Sequence, residues 1–179
     1  AVIPARGGSK GLPRKNILKI NGCPLIEYTI NAALEAKGLT DVVVSTDDSE
    51  IAEISKALGA QVPFMRPGEL ASDMSQSAPV VVHAMKEMEE IKGYRYHAIM
   101  MLQPTSPLRT SDHIEKALEL FFSQECDSVV SVTSVGGGHP FRMKKLVGDQ
   151  LVNYIDQGFW DMRPRQVLPD IYIRNGSIY

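Results

Sequence analysis

The chain has 179 residues, 44% of them hydrophobic and 22% charged, and its 19 Lys and Arg against 21 Asp and Glu give a formal net charge of -2. That length suits one domain with a buried core, and the composition is that of a globular protein. No stretch approaches the ~20 apolar residues that a membrane span needs, so neither a membrane nor a nucleic acid is an expected partner.

The first sixteen residues set the theme. Ala1 to Pro4 is a short apolar strand that runs into a loop carrying Gly7, Gly8, Gly11, Ser9 and the cations Arg6, Lys10, Arg14 and Lys15. With Lys19 these make five positive charges before the first acid, Glu27, which leaves 14 basic against 21 acidic residues for the rest of the chain. Such a contrast focuses positive potential at one place. Glycines let backbone N–H groups turn toward a phosphate, and the cations neutralise its oxygens, so the loop reads as a polyphosphate site. A solvated basic turn is the plainer alternative. The spacing fits neither Gly-x-x-x-x-Gly-Lys-Ser/Thr nor Gly-x-Gly-x-x-Gly opening into a helix, which excludes the two common nucleotide motifs.

Beyond the loop, Ile17–Ile20 is extended and Asn21-Gly22 signals a turn. Pro24 opens a helix to about Lys37, with Leu25, Ile26, Ile30, Ala33 and Leu34 inward and Gly38 as its stop. Asp41–Thr46, with Val42-Val43-Val44, reads as a strand buried on both faces, and strand–helix–strand is a right-handed crossover unit. The plan repeats with a helix from Asp48 or Ser49 to about Leu58, stopped by Gly59, and a strand over Gln61–Met65. Asp47, at the carboxyl end of its strand, reads as a helix cap in preference to a ligand for metal or ribose.

A loop over 66–73 leads to a helix over Ser75–Ile91 and then to an apolar strand, His97–Leu102. Two prolines stiffen Gln103-Pro-Thr-Ser-Pro-Leu-Arg109, presenting Gln103, Thr105 and Ser106 with Arg109 at the rim. Ser111 or Asp112 caps a helix to about Gln124 with Ile114, Leu118 and Phe121 inward, and Asp127–Thr133 is a further strand. Gly136-Gly137-Gly138 then acts as a hinge into two short strands, Phe141–Val147 and Leu151–Tyr154, joined at Gly148-Asp149. Phe159 and Trp160 fit either an interface or burial within the subunit. Ile171–Arg174 and Ser177–Tyr179 return to the sheet around Asn175-Gly176. The class is alternating α/β.

The four histidines show no metal-ligand spacing. Cys23 and Cys126 are expected to be reduced core thiols of a cytoplasmic protein. A start without methionine inside a first strand, and an end at Ile178-Tyr179 within an apolar run, lead us to expect a piece of a longer polypeptide.

Ile3-Pro-Ala-Arg-Gly-Gly-Ser-Lys-Gly-Leu-Pro-Arg-Lys-Asn16 resembles the signature of the acylneuraminate cytidylyltransferases, the enzymes that make CMP-sialic acid and its bacterial relatives. Arg66-Pro-Gly-Glu-Leu-Ala71, Gln103-Pro-Thr-Ser-Pro-Leu-Arg109 and Asn175-Gly-Ser-Ile-Tyr179 resemble further segments of that family. The Gly-Gly-Ser-Lys-Gly form sides with nine-carbon acids rather than the eight-carbon sugar Kdo, whose enzymes carry a loop rich in Ser-Thr-Arg.

The resemblance implies a three-layer αβα Rossmann-like nucleotidyltransferase fold. Residues 1–135 and 169–179 would form the nucleotide-binding domain, and 136–168 a β-hairpin excursion that crosses to a second subunit of a homodimer. It implies attack by the anomeric hydroxyl of a 2-keto-3-deoxy nonulosonic acid on the α-phosphate of CTP, with pyrophosphate leaving. Arg6 and Lys15 would stabilise the phosphates during transfer. Gly7, Gly8, Ser9 and Lys10 would bind the nucleotide, and Asn16 would read the pyrimidine edge. Arg66 and Ser77 would hold base and sugar, their plain alternatives being a surface charge and a helix-start hydroxyl. Gln103, Thr105 and Ser106, then Asn175, Gly176 and Tyr179, would line the sugar-acid pocket. Arg142 and Arg165 would meet its carboxylate, Arg142 standing where the family often has lysine. Mg2+ would bridge the phosphates, held by an Asp-x-Asp segment beyond residue 179. A transferase for another nucleotide or sugar, and a binding module without catalysis, are the competing readings.

Overall fold

In a computed structural model of the chain, residues 1–9, 11–72, 75–155 and 163–179 are described. They form two compact units, one of residues 1–131 with 176–179 and one of residues 132–175.

The first unit is built on a mostly parallel sheet. β1 (Val2–Pro4) pairs in parallel with β4 (Val43–Ser45) in the register Val2↔Val43, Ile3↔Val44 and Pro4↔Ser45. Single parallel bridges extend the sheet from Val43 to Gln61 on one side and from Val2 to Met101 on the other. Leu102 then pairs antiparallel with Ile178, and the Ser131 N–H donates to the Ile178 carbonyl at 3.0 Å. The chain therefore leaves β1 to build one side of the sheet and returns to build the other. β1 sits where the order reverses, and open α/β sheets bind ligands at the carboxyl ends of the strands at such a point.

Strand alternation fixes the layers. Ile3, Val44 and Leu102 belong to one core with Ile26, Ile30, Ile51 and Ile114, drawn from α1 (Leu25–Glu35), α2 (Ser49–Ala57) and α4 (Ser111–Ser123). Val2 and Val43, on the other face, are buried on the side of α3 (Ser77–Lys92), which packs against β1 and β4 through an apolar stripe of Val80, Ala84 and Met88. This is the three-layer α/β arrangement expected. Each fully buried isoleucine contributes roughly 1.5–3 kcal/mol.

Local signals explain most boundaries. β2 (Lys19–Ile20) and β3 (Cys23–Pro24) form a hairpin across Asn21 (φ 50°) and Gly22 (φ 87°), the left-handed pair that a tight hairpin turn needs. Asp48 caps α2, accepting the Ile51 N–H at 3.0 Å. α4 is capped by Thr110 rather than by Ser111 or Asp112, and the Thr110 N–H donates to His113 Nδ1 at 3.1 Å. The expected strand over Gln61–Met65 shrinks to Gln61, because Pro63 has no N–H for the ladder. α3 begins at Ser77 rather than Ser75. Leu34, expected inward, is exposed, and neither cysteine lies in the core, Cys23 being half-buried and Cys126 exposed.

In the second unit, β5 (Val132–Ser134) pairs antiparallel with β8 (Tyr172–Arg174), and β6 (Lys144–Val147) with β7 (Gln150–Asn153) in a hairpin whose turn contains Gly148. Phe159 and Trp160 lie outside the described residues. Among the described residues no helix is long and apolar enough to cross a membrane.

Candidate active site

A cleft of about 280 Å³ opens at the carboxyl ends of β1 and the Met101–Leu102 segment. Its walls bring together Arg6, Ser9, Lys15 and Asn16 from the glycine loop, Arg66 and Ser77 from the next loop and helix start, and Gln103 and Thr105 from the proline-stiffened loop. Ser72, Ser75 and Gln76 also line it, and these were not singled out from sequence. The signal was present as a run of small polar residues just ahead of a helix.

The glycine loop is held at both ends. Buried Asn16 donates from Nδ2 to the Arg6 carbonyl at 3.0 Å, closing the loop on itself. The Gly7 N–H donates to Oδ1 of Asp47 at 3.0 Å, so Asp47 latches the loop from the end of β4 and does not cap the helix. Arg14, in the left-handed region at φ 55°, donates to both carboxylate oxygens of Asp48 at 2.8 and 3.1 Å and to Glu50 at 2.6 Å. The loop that carries no acid in sequence thus acquires three carboxylates in space. The Arg14 hydrogen bond holds the Asp48 carboxyl below the usual carboxylate range, against an opposing effect of burial. Arg14 is committed to this latch, whereas Arg6 and Lys15 reach the cleft wall.

Arg66 is not a surface charge. It is 6% exposed, with Nε donating to Ser45 Oγ at 3.1 Å and Nη2 to the Ser45 carbonyl, so β4 itself aims it at the cleft. Burial pulls its guanidinium below the ordinary value, nearby Asp47 opposes this, and Arg6 adds to the lowering. Two guanidiniums held close on one partly buried wall repel each other, and a bound anion relieves that repulsion. Ser77 is the first residue of α3, whose N-terminal N–H groups add to the same polarity. Among the described residues no carboxylate lines the cleft.

On the opposite wall, the Gln103 loop lies beside the returning segment 176–179. A β-carbon at Gly176 would stand 3.1 Å from Gln103 Oε1, and Tyr179 pairs with Met101 through both backbone bonds, at 2.9 and 3.2 Å. Arg109, expected at the rim, is buried beneath this loop at 5% exposure. Gly8, Ser106, Gly176 and Tyr179 do not line the cleft. Lys10 lies outside the described residues. Arg142, Arg165 and Asn175 belong to the second unit, where Arg142 Nη2 donates to the Arg163 carbonyl at 2.7 Å and Arg165 begins a short 3-10 turn.

Among the described residues no three His, Cys, Asp or Glu side chains are placed to hold a metal ion, and the cleft wall offers cations, hydroxyls and amides. This donor set does not fit a protein-held magnesium site. A larger cavity, about 630 Å³, lies at the amino ends of the parallel strands against Tyr94, Tyr96, Phe121 and Phe122, and among the described residues none of those expected at a polyphosphate lines it.

A family model described as cytidylyltransferase matches residues 1–149. The chain is 40% identical over 135 residues to CMP-N,N'-diacetyllegionaminic acid synthase of Legionella pneumophila, covering 75% of this chain and 57% of that protein. It is 42% identical over 134 residues to N-acylneuraminate cytidylyltransferase of Escherichia coli, covering 74% of this chain and 30% of that protein. It therefore spans little more than half of the first relative and under a third of the second. In fold it resembles CMP:2-keto-3-deoxy-manno-octonic acid synthetase complexed with CTP, with a TM-score of 0.64 and 22% identity over 99% of this chain and 71% of that one.

Proposed function

Because this chain belongs to the cytidylyltransferase family, we propose that it transfers the cytidylyl group of CTP to the anomeric hydroxyl of a 2-keto-3-deoxy nonulosonic acid. The sugar oxygen bonds to the α-phosphorus as its hydroxyl proton is lost to solvent, the bond to the leaving pyrophosphate breaks, and a CMP-sugar results. The observation that carries this reading is the cleft itself, in which Arg6, Lys15 and Arg66 converge with four serines and Asn16, and among the described residues no carboxylate lines the wall. Phosphoryl-type transfers need mostly positioning and neutralisation of charge on phosphate oxygens, which such a wall supplies.

In this reading Arg6 and Lys15 neutralise the triphosphate as charge moves onto the leaving group, and Ser9 donates to it. Asn16 reads the cytosine edge, while Arg66 and Ser77 hold the nucleoside. Gln103, Thr105 and Ser106, with Asn175, Gly176 and Tyr179, receive the sugar acid. Two relatives named for N-acylneuraminate and diacetyllegionaminic acid support a nine-carbon acid over an eight-carbon one. The residue 136–168 excursion completes the site of a second copy in a homodimer, bringing Arg142 and Arg165 to the carboxylate. Exposed Leu146, Val147, Leu151 and Tyr154 on the hairpin support that partner. Free Cys23 and Cys126 support a reducing, cytoplasmic setting.

The test is pyrophosphate release by the full-length natural polypeptide from CTP or UTP. N-acetylneuraminate, N,N'-diacetyllegionaminate and Kdo are offered separately, with and without magnesium. Release with CTP and a nine-carbon acid is expected. Release only with UTP, or only with Kdo, sinks the assignment of nucleotide or substrate class. CTP binding without release from any acid favours a binding module.

A further inference from the structure

Arg109 is the one cation of the Gln103–Arg109 loop, and it faces inward. Its Nη1 donates to two backbone carbonyls at once, that of Gln103 at 3.2 Å and that of Ser177 at 2.7 Å, while Nη2 donates to Thr29 Oγ1 of α1 at 2.7 Å. Thr29 is fully buried and Arg109 is 5% exposed. Each of these partners is a neutral oxygen, and among the described residues buried Nε has none. Burial lowers the guanidinium to about 10, so it remains charged at neutral pH.

Keeping a charge buried against neutral dipoles alone is costly, and a residue chosen only for packing would avoid it. What the planar fork gives is geometry, since its N–H groups point in fixed directions and can hold carbonyls from two segments at a set spacing. The two segments are those that face each other across the sugar-acid side. Gln103 lines the cleft, and its Oε1 lies so close to Gly176 that a β-carbon there would be 3.1 Å away.

We propose that Arg109 is a positioning residue for the sugar acid, tying the Gln103 and Ser177 carbonyls together so that Gln103 is held against the Gly176 backbone. This rests on the cytidylyltransferase reading and deepens it. Arg66 is tied to Ser45 and the Arg6 carbonyl to Asn16, neither through Arg109, so loosening Arg109 affects the sugar acid and spares CTP.

The test compares wild type with Arg109→Lys in the full-length polypeptide, using whichever of N-acetylneuraminate and N,N'-diacetyllegionaminate the wild type turns over. Lysine keeps the charge and loses the fork. The KM for the sugar acid should rise ~10-fold while the CTP Kd, measured by calorimetry, stays within ~2-fold, because a small misplacement of a positioning group costs this much or more. A folded Arg109→Lys protein with an unchanged sugar-acid KM, or with both constants raised alike, overturns the proposal and leaves the transferase reading standing. If no acid supports turnover of the wild type, both fall. Should Arg109→Lys fail to fold, Thr29→Val decides: loss of one anchor should raise the sugar-acid KM ~3-fold, and Thr29→Ser, which keeps the hydroxyl, should restore it. An unchanged KM in Thr29→Val then overturns the proposal.

Discussion

Asp48 packs so tightly against Gly7 that a β-carbon on the glycine would fall 2.5 Å from its Oδ2. The carboxylate that grips Arg14 therefore needs a residue without a side chain beside it, and the two features must act together. Gly7→Ala should displace Asp48 and Arg14 and raise the CTP Kd ~10-fold, about 1.4 kcal/mol. In an Asp48→Gly background, which removes Oδ2 together with the Cβ that would lie 2.9 Å away, the same change should cost little more, since the clash is gone. A double-mutant cycle by calorimetry reads the coupling, and strict additivity would refute it.

The loop cations should not be equivalent. Arg6→Ala and Lys15→Ala are each expected to lower kcat ~100-fold, because each removes charge stabilisation from the cleft wall. Arg14→Ala should mainly raise the CTP Kd, because its guanidinium is engaged by Asp48 and Glu50. Steady-state kinetics with equal kcat losses for all three would show that Arg14 leaves its latch to reach the phosphates.

Far from the cleft, Asp41 is a buried carboxylate with four side-chain partners. Oδ1 accepts from Gln61 at 2.7 Å and Lys92 at 3.0 Å, and Oδ2 from Tyr94 at 2.7 Å and Tyr96 at 2.8 Å. Burial alone would raise its pKa, but the hydrogen bonds from Gln61, Tyr94, Lys92 and Tyr96 together bring it well below the usual carboxylate range. A depressed folded value means that this stabilisation is present above the unfolded pKa of about 3.9 and fades as the pH falls below it. Asp41→Asn should cost ~2 kcal/mol at pH 7 and flatten the loss of stability below about pH 4. Denaturant melts at pH 7, 4 and 3 give both numbers, and parallel curves for the two proteins would contradict the assignment.

Leu146 and Leu151 stand opposite each other on the β6–β7 hairpin, 73% and 53% exposed. An apolar cross-strand pair this open gains by burial against a partner. Replacing both by glutamate should convert a dimer into a monomer at micromolar concentration in sedimentation, with the circular dichroism unchanged. A wild type that is already monomeric, or a dimer indifferent to the change, would remove the hairpin from the interface.

Much of the architecture was legible because its causes are local. Val42-Val43-Val44 announced a strand buried on both faces, Asn21-Gly22 a hairpin turn, and the helix stripes their inward positions. The failures have local causes too. Pro63 cut short the strand after Gln61, and the helix stripe that placed Leu34 inward could not show where the packed face ended.

The sequence by itself determined the α/β class, the strand-borne glycine loop and the cations and amides expected to face an anion, because these depend on composition and on spacings of a few residues. Only the tertiary structure decided which charge meets which. The sheet register brings Asp47, Asp48 and Glu50 onto a loop that has no acid of its own, tucks Arg66 against Ser45, and buries Arg109 under Gln103 rather than leaving it at the rim. Periodicity reports which side of an element is buried. Charge pairing is set by distances of a few ångströms between residues far apart along the chain, which packing alone fixes.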